Sequence, residues 1–165
     1  MAHDESVKPS FGLFLNAFFP KHLAHCSSYN ELLFTTFKVT STGTTGYGVY
    51  GNSTYTARLG FSYLKLVNMF RFRIPVEKEF IYFNAGITQG IIVAQDNYLD
   101  LSGNYGKTEA LPDVRHYEFG LTGGLGFTFY RFSIDARYER SNGVSVYNSL
   151  KSPVHRFYLF LGLRF

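Results

Sequence analysis

The stretch Tyr117-Glu118-Phe119-Gly120-Leu121-Thr122-Gly123-Gly124-Leu125-Gly126-Phe127-Thr128-Phe129 decides the fold. Tyr117, Phe119, Leu121, Gly123, Leu125, Phe127 and Phe129 fall on one side of a period-two repeat. Glu118, Gly120, Thr122, Gly124, Gly126 and Thr128 fall on the other. Side chains alternate across a strand and recur every 3.6 residues on a helix, so this pattern reads as a β-strand. The next segment sets Phe132, Ile134, Ala136 and Tyr138 against Arg131, Ser133, Asp135, Arg137 and Glu139, and the two meet at a very short turn near 129–130.

The same alternation recurs outward from this hairpin. Phe157, Leu159, Leu161, Leu163 and Phe165 oppose Arg156, Tyr158, Phe160, Gly162 and Arg164. Residues 81–93 and 9–19 alternate likewise, while 31–40 is strand-like with an ambiguous facing. Along 55–74 the apolar residues change from odd positions (Tyr55, Ala57, Leu59, Phe61) to even ones (Leu64, Leu66, Phe70, Phe72). A one-residue slip swaps faces, which predicts a bulge near Tyr63 or Leu64. Seven strands are expected, at 9–19, 30–40, 55–74, 79–94, 114–128, 130–142 and 155–165. The connections 41–54, 95–112 and 143–154 read as long polar loops, and 75–79 and 129–130 as tight turns. The 20–30 connection is the long member of the short set.

Composition agrees. The chain has 165 residues, enough for one domain, with 18 Phe, 13 Tyr and 16 Gly but only 5 Pro. Abundant aromatics and glycines favour strands and turns over helices or disorder. The net charge of +4 comes from basic residues scattered singly, which excludes a nucleic-acid patch. Cys26 is the only cysteine, so an intramolecular disulfide is excluded. No run of 18 apolar residues exists to make a transmembrane helix, but barrel strands need only about 9–11 residues.

Side-chain size decides which face is inside. The lumen of a small barrel is just wide enough for side chains to fill, and dozens of Phe, Tyr, Leu and Ile would overpack it. The polar face carries Gly12, Gly60, Gly86, Gly90, Gly120, Gly124, Gly126 and Gly162, and strand glycines mark crowding or sharp curvature. The glycine-rich polar face is therefore expected inside. Tyr117, Phe119, Leu121, Leu125, Phe127, Phe132, Ile134, Phe157, Leu159, Leu161 and Leu163 are expected to face lipid. Glu118, Asp135, Arg137, Glu139, Arg156 and Arg164 would then share a confined interior and must pair.

The expected architecture is all-β, a single domain over 1–165: an antiparallel up-and-down transmembrane β-barrel of about eight strands in the outer membrane of a Gram-negative cell. Bacterial single-chain barrels have even strand numbers. Residues 1–8 are thus expected to be flexible or the remnant of a missing first strand, and the start Met1-Ala2-His3-Asp4-Glu5 lacks the basic and apolar regions of a signal peptide.

Residues 57–165 resemble the PorT-like outer-membrane β-barrel domain of Bacteroidetes. The resemblance rests on GFSYLKLVNMFRFRIP (60–75), YFNAGITQGIIV (82–93), YEFGLTGGLGFTF (117–129), FSIDARYERS (132–141) and FYLFLGLRF (157–165). Lys65-Leu66-Val67 departs from it, standing where that family often has an acidic residue and a proline. The resemblance implies an outer-membrane location and no assigned activity, and it makes Phe165 similar to the C-terminal aromatic of the outer-membrane assembly signal.

The residues themselves predict no enzyme, cofactor or metal site. His22-x-x-His25 beside Cys26 reads as a polar turn, and Glu118 with Asp135 as part of a structural plug rather than a catalytic pair. No phosphate loop, dinucleotide fingerprint or nucleophile elbow occurs. Expected partners are outer-membrane lipid, the assembly machinery during biogenesis and an envelope or extracellular protein bound through the long loops. The competing reading is a soluble lipocalin-like barrel with its apolar face inward around a small apolar ligand.

Overall fold

In the computed structural model, residues 2–5, 8–20, 25–46, 52–77, 79–101, 107–110, 113–143 and 153–164 are described. The strands are β1 (Ala2–Glu5), β2 (Ser10–Phe18), β3 (Cys26–Gly46), β4 (Asn52–Val76), β5 (Glu79–Leu101), β6 (Lys107–Thr108), β7 (Tyr117–Phe129), β8 (Phe132–Ser141) and β9 (Val154–Leu163). All pairings are antiparallel, in the order β1-β3-β4-β5-β7-β8-β9. β2 lies on the same edge of β3 as β1, and the short β6 pairs with β5. The result is an up-and-down sheet of seven positions that backbone hydrogen bonds do not close.

The strands outrun their expected limits at one end. β3 runs to Gly46, β4 starts at Asn52 and β5 runs to Leu101, so most of 41–54 and the first part of 95–112 are strand rather than loop. Threonine in STGTTG (41–46) and NST (52–54) suits a pleated surface, and Gly43 and Gly46 only look like loop signals. Residues 2–5, expected as flexible or as a remnant, extend the β2 edge as β1.

The predicted bulge exists but sits on the other strand. Ser62 pairs with Ala94 and Tyr63 with Ile92, which leaves Val93 of β5 as the extra residue. β4 keeps one phase: Phe61, Tyr63, Lys65, Val67, Met69 and Arg71 are all buried. Phe61 and Tyr63 thus belong to the interior, where their ring centroids lie 6.4 Å apart.

The sheet curls, because buried side chains of strands that are not neighbours meet. Lys65 of β4 reaches Glu139 of β8, Arg137 of β8 reaches Glu31 of β3, and Phe160 of β9 packs against the cluster of Tyr29, Leu33, Val67 and Met69 on β3 and β4. Glycine makes this tight curl possible. Five successive inward rows across β4, β5 and β7 each carry one: Lys65-Gly90-Glu118, Val67-Thr88-Gly120, Met69-Gly86-Thr122, Arg71-Asn84-Gly124 and Arg73-Tyr82-Gly126. A Cβ at Gly90 would stand 3.1 Å from the Lys65 Cγ, and one at Gly126 would enter the Tyr82 ring. On the outer face, a Cβ at Gly123 meets only the Asn84 carbonyl oxygen, at 3.7 Å.

Gly126→Val should therefore lower stability by about 3 kcal/mol or prevent folding, through overpacking and displacement of Tyr82. Gly123→Val should leave the urea midpoint nearly unchanged. Equal midpoints for the two variants would contradict the assignment of faces.

Candidate functional site

Strand alternation and register place the charged interior. Glu118 of β7, Asp135, Arg137 and Glu139 of β8 and Arg156 of β9 all turn inward and are buried. Sequence reasoning missed Glu31 of β3 and Lys65 and Arg71 of β4, which complete the set. Lys65 and Arg71 share odd parity with Phe61 and Tyr63. The parity was hidden because β4 also puts apolar residues inside, so hydrophobicity misread its phase. Among the described residues, the buried ionisable side chains of opposite sign number four cations (Lys65, Arg71, Arg137, Arg156) and four anions (Glu31, Glu118, Asp135, Glu139).

They form two neutral groups. Toward the long-loop end, Lys65 Nζ donates to Glu139 Oε1 at 2.5 Å and lies 3.3 Å from Glu118 Oε2. Arg156 Nη1 donates to Glu118 Oε1, to Glu139 Oε1 at 3.0 Å and to Ser141 Oγ at 3.4 Å. Lys65 and Glu118 flank Gly90 in one inward row, and the missing side chain there lets the ammonium pass across to the carboxylate. Glu139 and Arg156 face each other directly across β8 and β9.

Toward the short-turn end, Arg137 Nη1 donates to Glu31 Oε2 at 2.7 Å, and its Nε lies 3.4 Å from Asp135 Oδ1. Arg71 Nε donates to Asn84 Oδ1 at 2.8 Å, and Asn84 Nδ2 donates to Asp135 Oδ2 at 2.7 Å. The Arg71 guanidinium is held between the rings of Tyr29 and Tyr82, at 4.0 and 3.9 Å from their centroids. Arg156 similarly lies over Phe37 and Tyr63, and Arg137 over Phe160. Cation–aromatic contacts of this kind gain strength when water is excluded.

Glu118 and Asp135 belong to different groups and each is held by cations, so the two carboxylates do not make an acid–base pair. Arg164, expected in the same network, stands exposed at the short-turn end, where its Nη2 donates to the Tyr130 carbonyl at 3.3 Å. The β9 strand ends at Leu163, which leaves Arg164 at the rim instead of in the interior. His25 is exposed against Phe72 while Cys26 is buried, and no cluster of three metal-binding side chains occurs among the described residues. His22 and Phe165 lie outside the described residues.

The outer face is the inverse. All eleven side chains expected there, from Tyr117 through Leu163, are exposed, among them Leu121 at 63% and Leu161 at 83%. Leu32, Leu66, Phe70, Phe72, Ile81, Phe83, Ile91 and Val93 extend the same surface across β3, β4 and β5. No family model, curated protein or solved structure matches this chain, so the PorT-like resemblance gains nothing from comparison.

Removing one partner of a buried pair leaves an uncompensated charge, which costs about 3–5 kcal/mol. Glu31→Leu and Arg137→Met should each show that loss in urea titrations. The double variant should recover most of it, because Arg71 and Asp135 still balance. Additive losses in the double variant would show that the pair carries no coupling.

Proposed function

We infer that this chain is a transmembrane β-barrel of a Gram-negative outer membrane, without catalytic activity, acting structurally or through its long-loop end. The observation that supports this most is the inversion of faces: eight charges buried inside, and a continuous field of Leu, Ile, Val and Phe outside. An exposed apolar surface of that extent is unfavourable in water and favourable against hydrocarbon.

The band has limits consistent with a bilayer. On the outer side of β8 the apolar run lies between Phe132 and Arg140, and Arg140 stands opposite His155 of β9. Eight rises of about 3.4 Å span roughly 27 Å of strand, which tilt shortens to roughly 20 Å. Outer-membrane barrels present an apolar band of about 25 Å. Aromatic residues gather at its two ends: Tyr117, Phe119 and Tyr138 on one side, Phe129, Tyr130 and Phe132 on the other. Rings at both interfaces are characteristic of such barrels.

A lipocalin-like carrier needs an apolar cavity inside, whereas here the interior is occupied by two ion-pair groups and the rings stacked on them. The same filling argues against a porin-like channel. The expected partners remain lipid on the outer face, the assembly machinery during biogenesis and an envelope protein at the long-loop end.

Purified protein should require detergent, migrate heat-modifiably in a gel and give no large steady conductance in planar bilayers. Leu125→Arg, at mid-band, should weaken folding into bilayers by about 2–4 kcal/mol, and an equivalent change near the rim by about 1 kcal/mol or less. A monodisperse protein in plain buffer would reject the membrane reading.

A further inference from the structure

The outer face of β8 and β9 changes character at one level near the long-loop end. From Phe132 to Tyr138 the outward side chains of β8 are apolar or aromatic, and at the next outward position Arg140 stands directly opposite His155. Both are exposed. On its other side Arg140 has Leu121 of β7. The carboxylates of these three strands, Glu118, Asp135 and Glu139, are all buried in the interior. Among the described residues, neither Arg140 nor His155 is joined to a carboxylate.

The imidazole is held in place. The Tyr138 hydroxyl lies 2.5 Å from His155 Nδ1, and the Tyr138 ring packs on Phe157 with centroids 5.0 Å apart. With the phenol donating to Nδ1, the hydrogen of the neutral imidazole is on Nε2, and protonation leaves that donor in place. A guanidinium fork beside an N–H donor suits a phosphate group. One outward row away, about 7 Å along β8, the surface is low. Gly123 stands there between Ala85 and Tyr138, and a Cβ on it would meet only the Asn84 carbonyl oxygen, at 3.7 Å. Ala136 continues the low ground beside Leu125.

We propose that Arg140 and His155 bind the phosphate of an anionic lipid whose acyl chain lies over Gly123 and the alanines beside it. The inference rests on the membrane reading. Lipid is the occupant, rather than a soluble anion, because the donors stand at the limit of a continuous apolar field, with Leu121 at 63% and Phe157 at 82% exposure next to them. A headgroup arrives at that depth with its chain already in hydrocarbon. The arginine stem can lie on the same apolar surface while its charged end stays at the polar side, and a tyrosine at this level is suited to the boundary.

Native mass spectrometry of the full chain released from neutral maltoside micelles tests this, with dioleoyl phosphatidic acid in one arm and dioleoyl phosphatidylcholine in the other. The protein should retain phosphatidic acid about tenfold more strongly, the effect of one charge-assisted hydrogen bond. Arg140→Gln/His155→Gln should lose that preference, and Arg131→Gln, at the opposite rim, should keep it. Gly123→Val should also weaken retention of phosphatidic acid, which reads the site without touching a charge. Heat-modifiable migration checks that the double variant folds, and Arg140→Gln alone replaces it should it not. Equal retention of the two lipids, or a preference unchanged in the folded variant, overturns the proposal. Displacement of the lipid by equimolar inorganic phosphate overturns it too, by revealing a site for the free ion. A protein monodisperse in plain buffer removes the membrane reading and this site together, before any lipid is added. One that needs detergent but shows no preference loses only the site.

Discussion

The structure depends on charge compensation inside a space too narrow for water to do the work. A carboxylate or guanidinium taken out of water costs several kcal/mol, and only close opposite charge with further hydrogen bonds offsets that cost. Four buried cations and four buried anions meet this demand as two neutral groups, one on each side of the middle of the sheet. The pairs join β3 to β8, β4 to β7 and β8, and β8 to β9, so compensation also fixes how tightly the sheet curls. Glycine is the steric counterpart. With one glycine in each of five successive inward rows across β4, β5 and β7, long side chains can lie across the floor of the curl to their partners.

The hairpin 117–141 was legible because its two faces differ sharply in chemistry. Every outward residue predicted there is exposed, and every carboxylate predicted inward is buried. The N-terminal half was harder to read because its interior is mixed. Tyr29, Leu33, Val67 and Met69 form an apolar cluster on the same face as Glu31, Lys65 and Arg71, so hydrophobic alternation loses its contrast just where the missing half of the ion network lies. The phase change along 55–74 was read as a bulge in β4, when large apolar residues simply occupy both faces. The extra residue is Val93 across the ladder, in a run, Ile91-Ile92-Val93, whose uniform character hides any slip.

The small cavity at the short-turn end that four arginines line was not legible at all. Arg71, Arg73, Arg131 and Arg164 come from three separate parts of the chain, and only the register of β4 and the positions of the β7–β8 turn and the end of β9 bring them together. Arg164 illustrates the difficulty. Its parity is that of the inward face, but the strand stops one residue earlier, and parity carries no information about depth.

The two edges of the sheet set the last constraint. β2 and β9 both run toward the short-turn end, since the ladder has an odd number of positions, so direct pairing between them would be parallel. Antiparallel closure takes one further strand running opposite to both. Outward side chains on these edges are the most exposed of all, Leu13 at 79% and Phe157 at 82%, because each has a neighbour on only one side. In hydrocarbon the unpaired N–H and C=O groups along such edges would each cost several kcal/mol, so a membrane-embedded form must cover them. The edges are already drawn together from within: Phe160 packs against the cluster of Tyr29, Leu33, Val67 and Met69, Arg156 lies over Phe37, and Phe14 stacks on Tyr29 while approaching Gly162. Interior side chains therefore set the width of the seam before any backbone bond crosses it, and whatever covers the seam must present small or polar groups inward, where those rings and charges already fill the space.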